Sequence, residues 1–324
     1  MSASGGTRAI IAALAANVGI ALTKFLAWIL TGSSSMLAEA IHSVADSGNQ
    51  VLLLVGGRRS TRKATPEHPF GYGRERYIYA FIVSIVLFSV GGLFALYEAY
   101  HKFQHPEGIH EWQWVPVTVL VVAVGLESFS LRTAIKESNH VRGTASWKEF
   151  VRRAKAPELP VVLLEDIGAL LGLVFALFGV VMTLITGSGY WDATGTTMIG
   201  LLLVAIAVVL ALETKSLLLG EAASAEHQSA IEKALLGGPE IEQIIHMKTL
   251  HLGPDELLVA AKIGVTPNES AVDLARGIDA AEARVREAVP IARVIYLEPD
   301  IWSNRAATAG NGAGAETTEG VASH

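Results

Sequence analysis

The stretch SSMLAEAIHSVADSGNQVLLLV, Ser34–Val55, decides how this chain reads. It is apolar enough and long enough to cross a bilayer, yet it carries His42 and Asp46. Four residues apart on a helix, the two share one face, and Asn49 falls on the same face one turn further. An ionisable side chain at membrane depth costs about 2.5–3.5 kcal/mol on insertion scales and usually marks function. A neutral imidazole and a carboxylate one turn apart suit a divalent transition metal, so the pair points to a metal site inside a membrane. The bland alternative is a hydrogen-bonded structural pair.

Outward from that stretch, the composition agrees. Hydrophobic residues make up 51% of the 324 and charged residues only 17%, which leaves room for a multi-helix membrane unit and one small soluble domain. The formal net charge of −6 carries little information because charge is segregated along the chain. No basic stripe or binding motif suggests a nucleic-acid partner. Without cysteine, disulfides and thiolate metal sites are excluded. The short polar start, Met1–Thr7, does not resemble a cleavable signal.

Six segments read as spans: Ala9–Leu30, Leu37–Gly56, Tyr77–Tyr100, Trp114–Leu131, Val161–Thr186 and Thr196–Leu217. Positive charge gathers in two loops. One carries Arg58, Arg59, Arg62, Lys63, Arg74 and Arg76; the other carries Lys136, Arg142, Lys148, Arg152, Arg153 and Lys155. The remaining loops hold only Lys102, so both termini and the basic loops are expected in the cytoplasm. A division near Gly220 separates residues 1–219, which hold the six spans, from residues 220–302, a smaller domain expected in the cytoplasm. In the latter, helical and strand patterns alternate as αββαβ, a small ferredoxin-like α+β domain with helices on one face of a sheet. The tail, 303–324, lacks an apolar period and is expected to be disordered. The expected fold is thus an all-α membrane domain of six helices followed by that α+β domain.

Further polar residues interrupt the spans: Asn17 and Lys24 in the first, Glu39 beside His42, Glu127 in the fourth, and Glu165 and Asp166 at the opening of the fifth. Glu165 and Asp166 either join the metal site or cap a helix near the surface. Glu127 is a ligand, a proton carrier or the salt-bridge partner of Lys24, which could instead snorkel. Asn17 and Asn49 more often hold membrane helices together than bind metal. The segment Glu67–Arg76, EHPFGYGRER, leads into the third span; it is either an entrance element, with Arg74 and Glu75 pairing across an interface, or a simple turn. His101, His105 and His110 read as a solvated loop.

Together HSVAD (His42–Asp46), HPFGYGRER (His68–Arg76) and the layout of spans resemble the cation diffusion facilitator family, over about Arg8–Pro299. GSSSMLAEAIHSVADSGNQ, HPFGYGRERY and VVLLEDIGALLG look most similar to the branch of mitochondrial-type zinc transporters and their bacterial relatives. The resemblance implies a homodimer that exports metal from the cytoplasm against inward proton flow. It also implies a tetrahedral site with two ligands from the second span and two from the fifth. His42 and Asp46 match the second-span pair. The fifth-span pattern is incomplete: in one register Asp166 is the first ligand and Leu170 stands at the second, and in the other Asp166 is the second and Val162 stands at the first. Glu165, Glu127 or water would complete the shell. His68 matches an accessory loop ligand, with Tyr72 where a second histidine would stand. In the soluble domain His246 falls on a ligand position and Glu298 lies near another, but Lys262 replaces a histidine, and a cation there opposes metal binding.

The expected metal set is therefore His42, Asp46, Asp166, Glu165, Glu127 and Asn49, with His68, His246 and Glu298 as weaker accessory candidates. Zinc is the expected cargo, with manganese, iron and cobalt open because oxygen donors dominate. No catalytic cofactor is expected. An intramembrane metalloenzyme is disfavoured by the lack of HExxH and of any extra base or nucleophile; an inert membrane metal sensor or scaffold is the other rival. The expected setting is membrane lipid, with a bacterial plasma membrane favoured over an organelle.

Overall fold

The computed structural model describes residues 3–31, 34–106, 114–267 and 270–301. Within the first two helices, the side chains at 3–6, 8, 27, 28, 30, 31, 34–39, 41 and 42 are outside the described set. The expected tail (303–324), His110, and the side chains of Glu39 and His42 thus lie outside the described residues.

The chain divides into two compact units, one ending at Gly220 and the other starting at Glu221. The first is helical: α1 (Ala3–Thr31), α2 (Ser34–Ser60), α3 (Glu75–Val86), α4 (Phe94–Gln104), α5 (Trp114–Arg142), a short α6 (Trp147–Arg153), α7 (Glu158–Thr186) and α8 (Tyr190–Leu219). A π-helical segment, Leu87–Leu93, makes α3 and α4 one continuous span. Among the described residues, five segments are long and apolar enough to cross a membrane: Ala9–Leu26, Glu75–Gln104, Trp114–Arg142, Glu158–Thr186 and Tyr190–Leu219. The sixth expected span, α2, has the length, at 27 residues, but is the polar member of the bundle.

Outward-facing Leu22, Leu26, Val121, Phe129, Leu201 and Leu212 are exposed, as expected where lipid rather than water covers the surface. Inside, α1 packs on α2 and α5, α5 on α7, and α7 on α8. Small residues permit the closest of these approaches. A Cβ on Gly195 of α8 would lie 2.7 Å from the carbonyl oxygen of Phe175 on α7, and the Cα atom of Gly179 is 3.3 Å from the same point.

Helix ends depart from the expected ones for physical reasons. α5 continues to Arg142, past the apolar stretch, because its last turns need only helix-compatible residues and not lipid. α7 starts at Glu158, so Glu165 and Asp166 lie about two turns inside it and do not cap it. The intervening basic loop also folds: Ser146 caps α6 by accepting from the Glu149 N–H, and Arg142 stacks over the Trp147 ring at 4.3 Å.

The second unit runs α9 (Ala225–Leu235), β1 (Gln243–Gly253), β2 (Glu256–Gly264), α10 (Ala271–Ala288) and β3 (Ala292–Asp300). β1 and β2 form an antiparallel hairpin, and β2 pairs in parallel with β3, in the order β1-β2-β3. Alternate residues of β2, Leu257, Val259, Ala261 and Ile263, are buried with Ile231 and Leu235 of α9 and Ala281 and Val285 of α10. Compared with the ferredoxin-like expectation, the sheet is three-stranded and mixed. In place of a strand before α9, residues 221–223 lie beside the end of β1: the His251 N–H donates to the Glu221 carbonyl at 2.9 Å, and the Ala223 N–H donates to Thr249 Oγ1 at 2.9 Å.

Candidate metal-binding site in the membrane domain

Besides the ion-paired Glu158, four carboxylates lie buried within the helical bundle among the described residues: Asp46 on α2, Glu127 on α5, and Glu165 and Asp166 on α7. They are near enough to act on one another electrostatically. Such a group persists in an apolar interior only when partners satisfy it, and each helix supplies some. Asn49 Nδ2 donates to Glu165 Oε1 at 2.8 Å, and Gln50 Nε2 donates to Glu165 Oε2 at 3.1 Å. Gln50 in turn accepts from Asn17 Nδ2 at 3.3 Å, extending the chain to α1. Ser130 Oγ on α5 donates to Asp166 Oδ2 at 2.8 Å. Lys24 on α1 is buried and donates to Ser43 Oγ on α2 at 3.0 Å.

The six expected membrane ligands sort by this geometry. Asp46, Glu127, Glu165, Asp166 and Asn49 converge on the interior of one bundle. Glu165 is doubly bound by amides, whereas Asn49 keeps its Oδ1 buried without a hydrogen-bond partner among the described residues. Such an orphaned acceptor calls for a water or an ion. His42 is on α2 one turn before Asp46, and its side chain is outside the described residues. Among the described residues, no three His, Asp or Glu side chains are arranged to hold a metal on their own. Asp166 faces the site, and Leu170 and Val162 add no donor in either register.

Three participants escaped the sequence reading: Gln50, Ser43 and Ser130. Gln50 lies four residues after Asp46 and Ser43 three before it, while Ser130 lies three after Glu127, so helical spacing alone places each on the face of a buried carboxylate. Lys24 does not snorkel; it is 3% exposed and turned inward.

The accessory residues are elsewhere. In the segment before α3, Thr65 and His68 exchange backbone hydrogen bonds at 3.0 and 3.2 Å, and Gly71 takes φ +75°, so it folds as a tight turn. The His68 ring packs on Tyr72 with centroids 4.8 Å apart, and the Arg62 guanidinium lies 4.8 Å from the centroid of the same Tyr72 ring. The ion pair anchoring this entrance runs from Arg76, and not from Arg74, to Glu158 at the start of α7, with Nη2–Oε2 at 2.9 Å. At the far end of the same span Lys102 pairs with Asp192 at 2.7 Å. His101 and His105 close α4 with ring centroids 4.9 Å apart.

In the soluble unit His246, Lys262 and Glu298 sit side by side on β1, β2 and β3. Lys262 Nζ pairs with Glu298 at 3.2 Å and Asp300 at 2.9 Å. These carboxylates raise the Lys262 pKa above its ordinary value, and the ammonium lowers that of Asp300. The cation therefore takes the carboxylate charge that a metal would need.

The family model of the cation efflux transmembrane domain matches residues 10–219. Among curated proteins, the mouse "proton-coupled zinc antiporter SLC30A9, mitochondrial" is 32% identical over 74% of this chain and 42% of its own length. The Arabidopsis thaliana "metal tolerance protein C4" is 27% identical over 79% of this chain and 56% of its own. The "magnetosome protein MamM" of Paramagnetospirillum magneticum is 25% identical over 40% and 41%. The chain spans about half the length of the first two of these relatives. The matched domain and the apolar helices together make this a multi-pass membrane protein.

Proposed function

The chain belongs to the cation efflux family, the cation diffusion facilitators, and from that premise we propose that it exports a divalent transition metal, zinc first, from the cytoplasm in exchange for protons. The observation that carries the reading is the cluster of Asp46, Glu127, Glu165 and Asp166 buried within the helical bundle, with an amide oxygen beside it that has no partner among the described residues. Helix packing accounts for Glu165, which two amides hold; Asp46, Glu127 and Asp166, costly in such an interior, are accounted for by a cation or protons shared among them.

In this reading α2 is the sixth span, polar because it carries the site, and both termini face the cytoplasm with the basic loops. His42 and Asp46 are core ligands and Asp166 is the third. Glu127 or Asn49 completes the shell, because the Glu165 oxygens are already held by two amides. Metal requires these groups deprotonated, so loading releases protons and protonation expels metal. Alternating exposure of the site to the two sides then converts proton entry into metal exit. The soluble domain serves chiefly to pair two copies of the chain. In this reading the protein is a transporter and not an enzyme, set in a bacterial plasma membrane.

An imidazole among oxygens favours zinc; the preponderance of carboxylates keeps manganese, iron and cobalt as second cargoes. Zinc and manganese uptake into proteoliposomes under an imposed pH gradient tests the proposal. Gradient-driven flux that is lost in Asp46→Ala and Asp166→Ala supports it. No flux of any of these metals through correctly folded wild type sinks it in favour of a sensor or scaffold.

A further inference from the structure

A small cavity in the membrane domain is lined by Lys24, Ser43, Asp46 and Glu127, and walled on its other side by Gly172 and Leu173. Lys24 is 3% exposed, Glu127 4% and Asp46 8%, so an ammonium and two carboxylates share a largely buried space. Lys24 acts electrostatically on Glu127. The lysine carries three donor protons, one of which goes to Ser43 at 3.0 Å. Its four-carbon stem is flexible enough to swing the charge within the cavity while its Cα stays fixed on α1.

A buried ammonium needs counter-charge, and the cavity offers it from Asp46 and Glu127. A divalent ion entering the bundle needs the same carboxylates. The two cations then compete for one set of oxygens, and their mutual repulsion is strong because little water screens it. We propose that Lys24 is a tethered competitor of the transported metal, a selectivity and release residue that compensates the carboxylates of the empty site and weakens metal binding to it. Resting on the exporter reading, this adds to proton-driven release a second source of compensation: a built-in cation restores counter-charge to Asp46 and Glu127 as the metal leaves. Ser43 keeps the ammonium in the cavity by accepting one of its protons.

The test is zinc affinity and turnover of the purified full chain, by titration calorimetry in detergent and by flux in proteoliposomes. Lys24→Met removes the charge and keeps the bulk. Lys24→Gln also keeps a donor for Ser43 and serves if the first variant folds poorly. Lys24→Arg retains the charge. The expected result is zinc binding tightened about tenfold or more in the Met or Gln variant, with slower turnover, and affinity near wild type in the Arg variant. A purely structural lysine would give weaker binding in each neutral variant, with no gain. Unchanged or weakened zinc binding in a folded neutral variant overturns the proposal alone. A wild type that binds neither zinc nor manganese overturns the exporter reading and this proposal with it.

Discussion

Glu165 shows how a single residue can be legible by type and illegible by role. A carboxylate in an apolar run advertises itself, but its partners are Asn49 and Gln50 on α2, 116 and 115 residues away, and no spacing rule reports contacts across that distance. What helical spacing does report is the shared face of His42, Asp46 and Asn49, and it extends to Gln50 at the next step. Glu165 is therefore expected to hold α2 against α7 first and to touch metal second. Asn49→Ala removes one donor from a buried carboxylate and should lower stability by about 1–3 kcal/mol, read as a drop in the detergent melting temperature. Ser130→Ala acts on the other side of the site. It leaves Asp166 with one donor fewer and should weaken zinc binding more than it lowers the melting temperature. A melt shifted as far as that of Asn49→Ala, with affinity unchanged, would make Ser130 structural.

Elements were readable where apolar length decides them and less so where it does not. α1, α5, α7 and α8 follow from their hydropathy, yet α5 overshoots its apolar stretch and α6 forms in a loop read only as basic. Both extensions are made by capping and by charged helix formers, which leave no mark on a search for lipid-soluble runs. The packing between elements is carried by small residues. Gly195→Ala would bring a methyl group to 2.7 Å from the Phe175 carbonyl oxygen, and backbone cannot rotate away as a side chain can. Separation of α7 from α8 should cost about 1–3 kcal/mol. A melt equal to wild type would mean that the helices already slide at this point. The Arg76–Glu158 pair ties α3 to α7, with side chains 11% and 6% exposed. Breaking it by Arg76→Met alone should cost roughly 3 kcal/mol by stranding a buried carboxylate, and adding Glu158→Gln should return part of that stability. Full additivity of the two changes would show that the pair contributes nothing as a pair.

For the molecule as a whole, the membrane unit and the soluble unit follow opposite rules for a cation among acids. In the membrane unit a lysine shares a buried cavity with two carboxylates; in the second unit the half-buried Lys262 lies between the more exposed Glu298 and Asp300. The αββαβ order was legible from alternation and turn residues, but the His246–Lys262–Glu298 row is a matter of strand register, fixed by the Gly253–Glu256 hairpin and the parallel placement of β3. The row has a pH signature with a definite sign. Asp300, lowered by the ammonium, contributes stability that is present above the ordinary carboxylate range and lost as pH falls through its folded value. Lys262, raised by the carboxylates, contributes stability that is present below the ordinary lysine value and lost as pH rises through its folded one. Lys262→Met should therefore separate from wild type in melts near neutrality and converge with it in acid.

The same register makes a stricter prediction. Neighbouring strands stand about 4.8 Å apart, a span that a metal with bonds near 2.1 Å can bridge through side chains on one face. His246 and Glu298 flank position 262 in that row, and the lysine charge opposes a metal between them. Lys262→His removes the cation, adds a nitrogen donor and releases Glu298 and Asp300 from their ion pairs. In a chain whose membrane site is disabled by Asp46→Ala, this change should create one zinc site per chain by calorimetry, whereas Lys262→Met, which removes the charge and adds no ligand, should bind far more weakly. Equal zinc binding by the two variants would place the barrier in charge alone. No binding by either would mean that the three strands hold these side chains too far apart for one ion, and that the soluble unit is closed to metal by geometry as well as by its lysine.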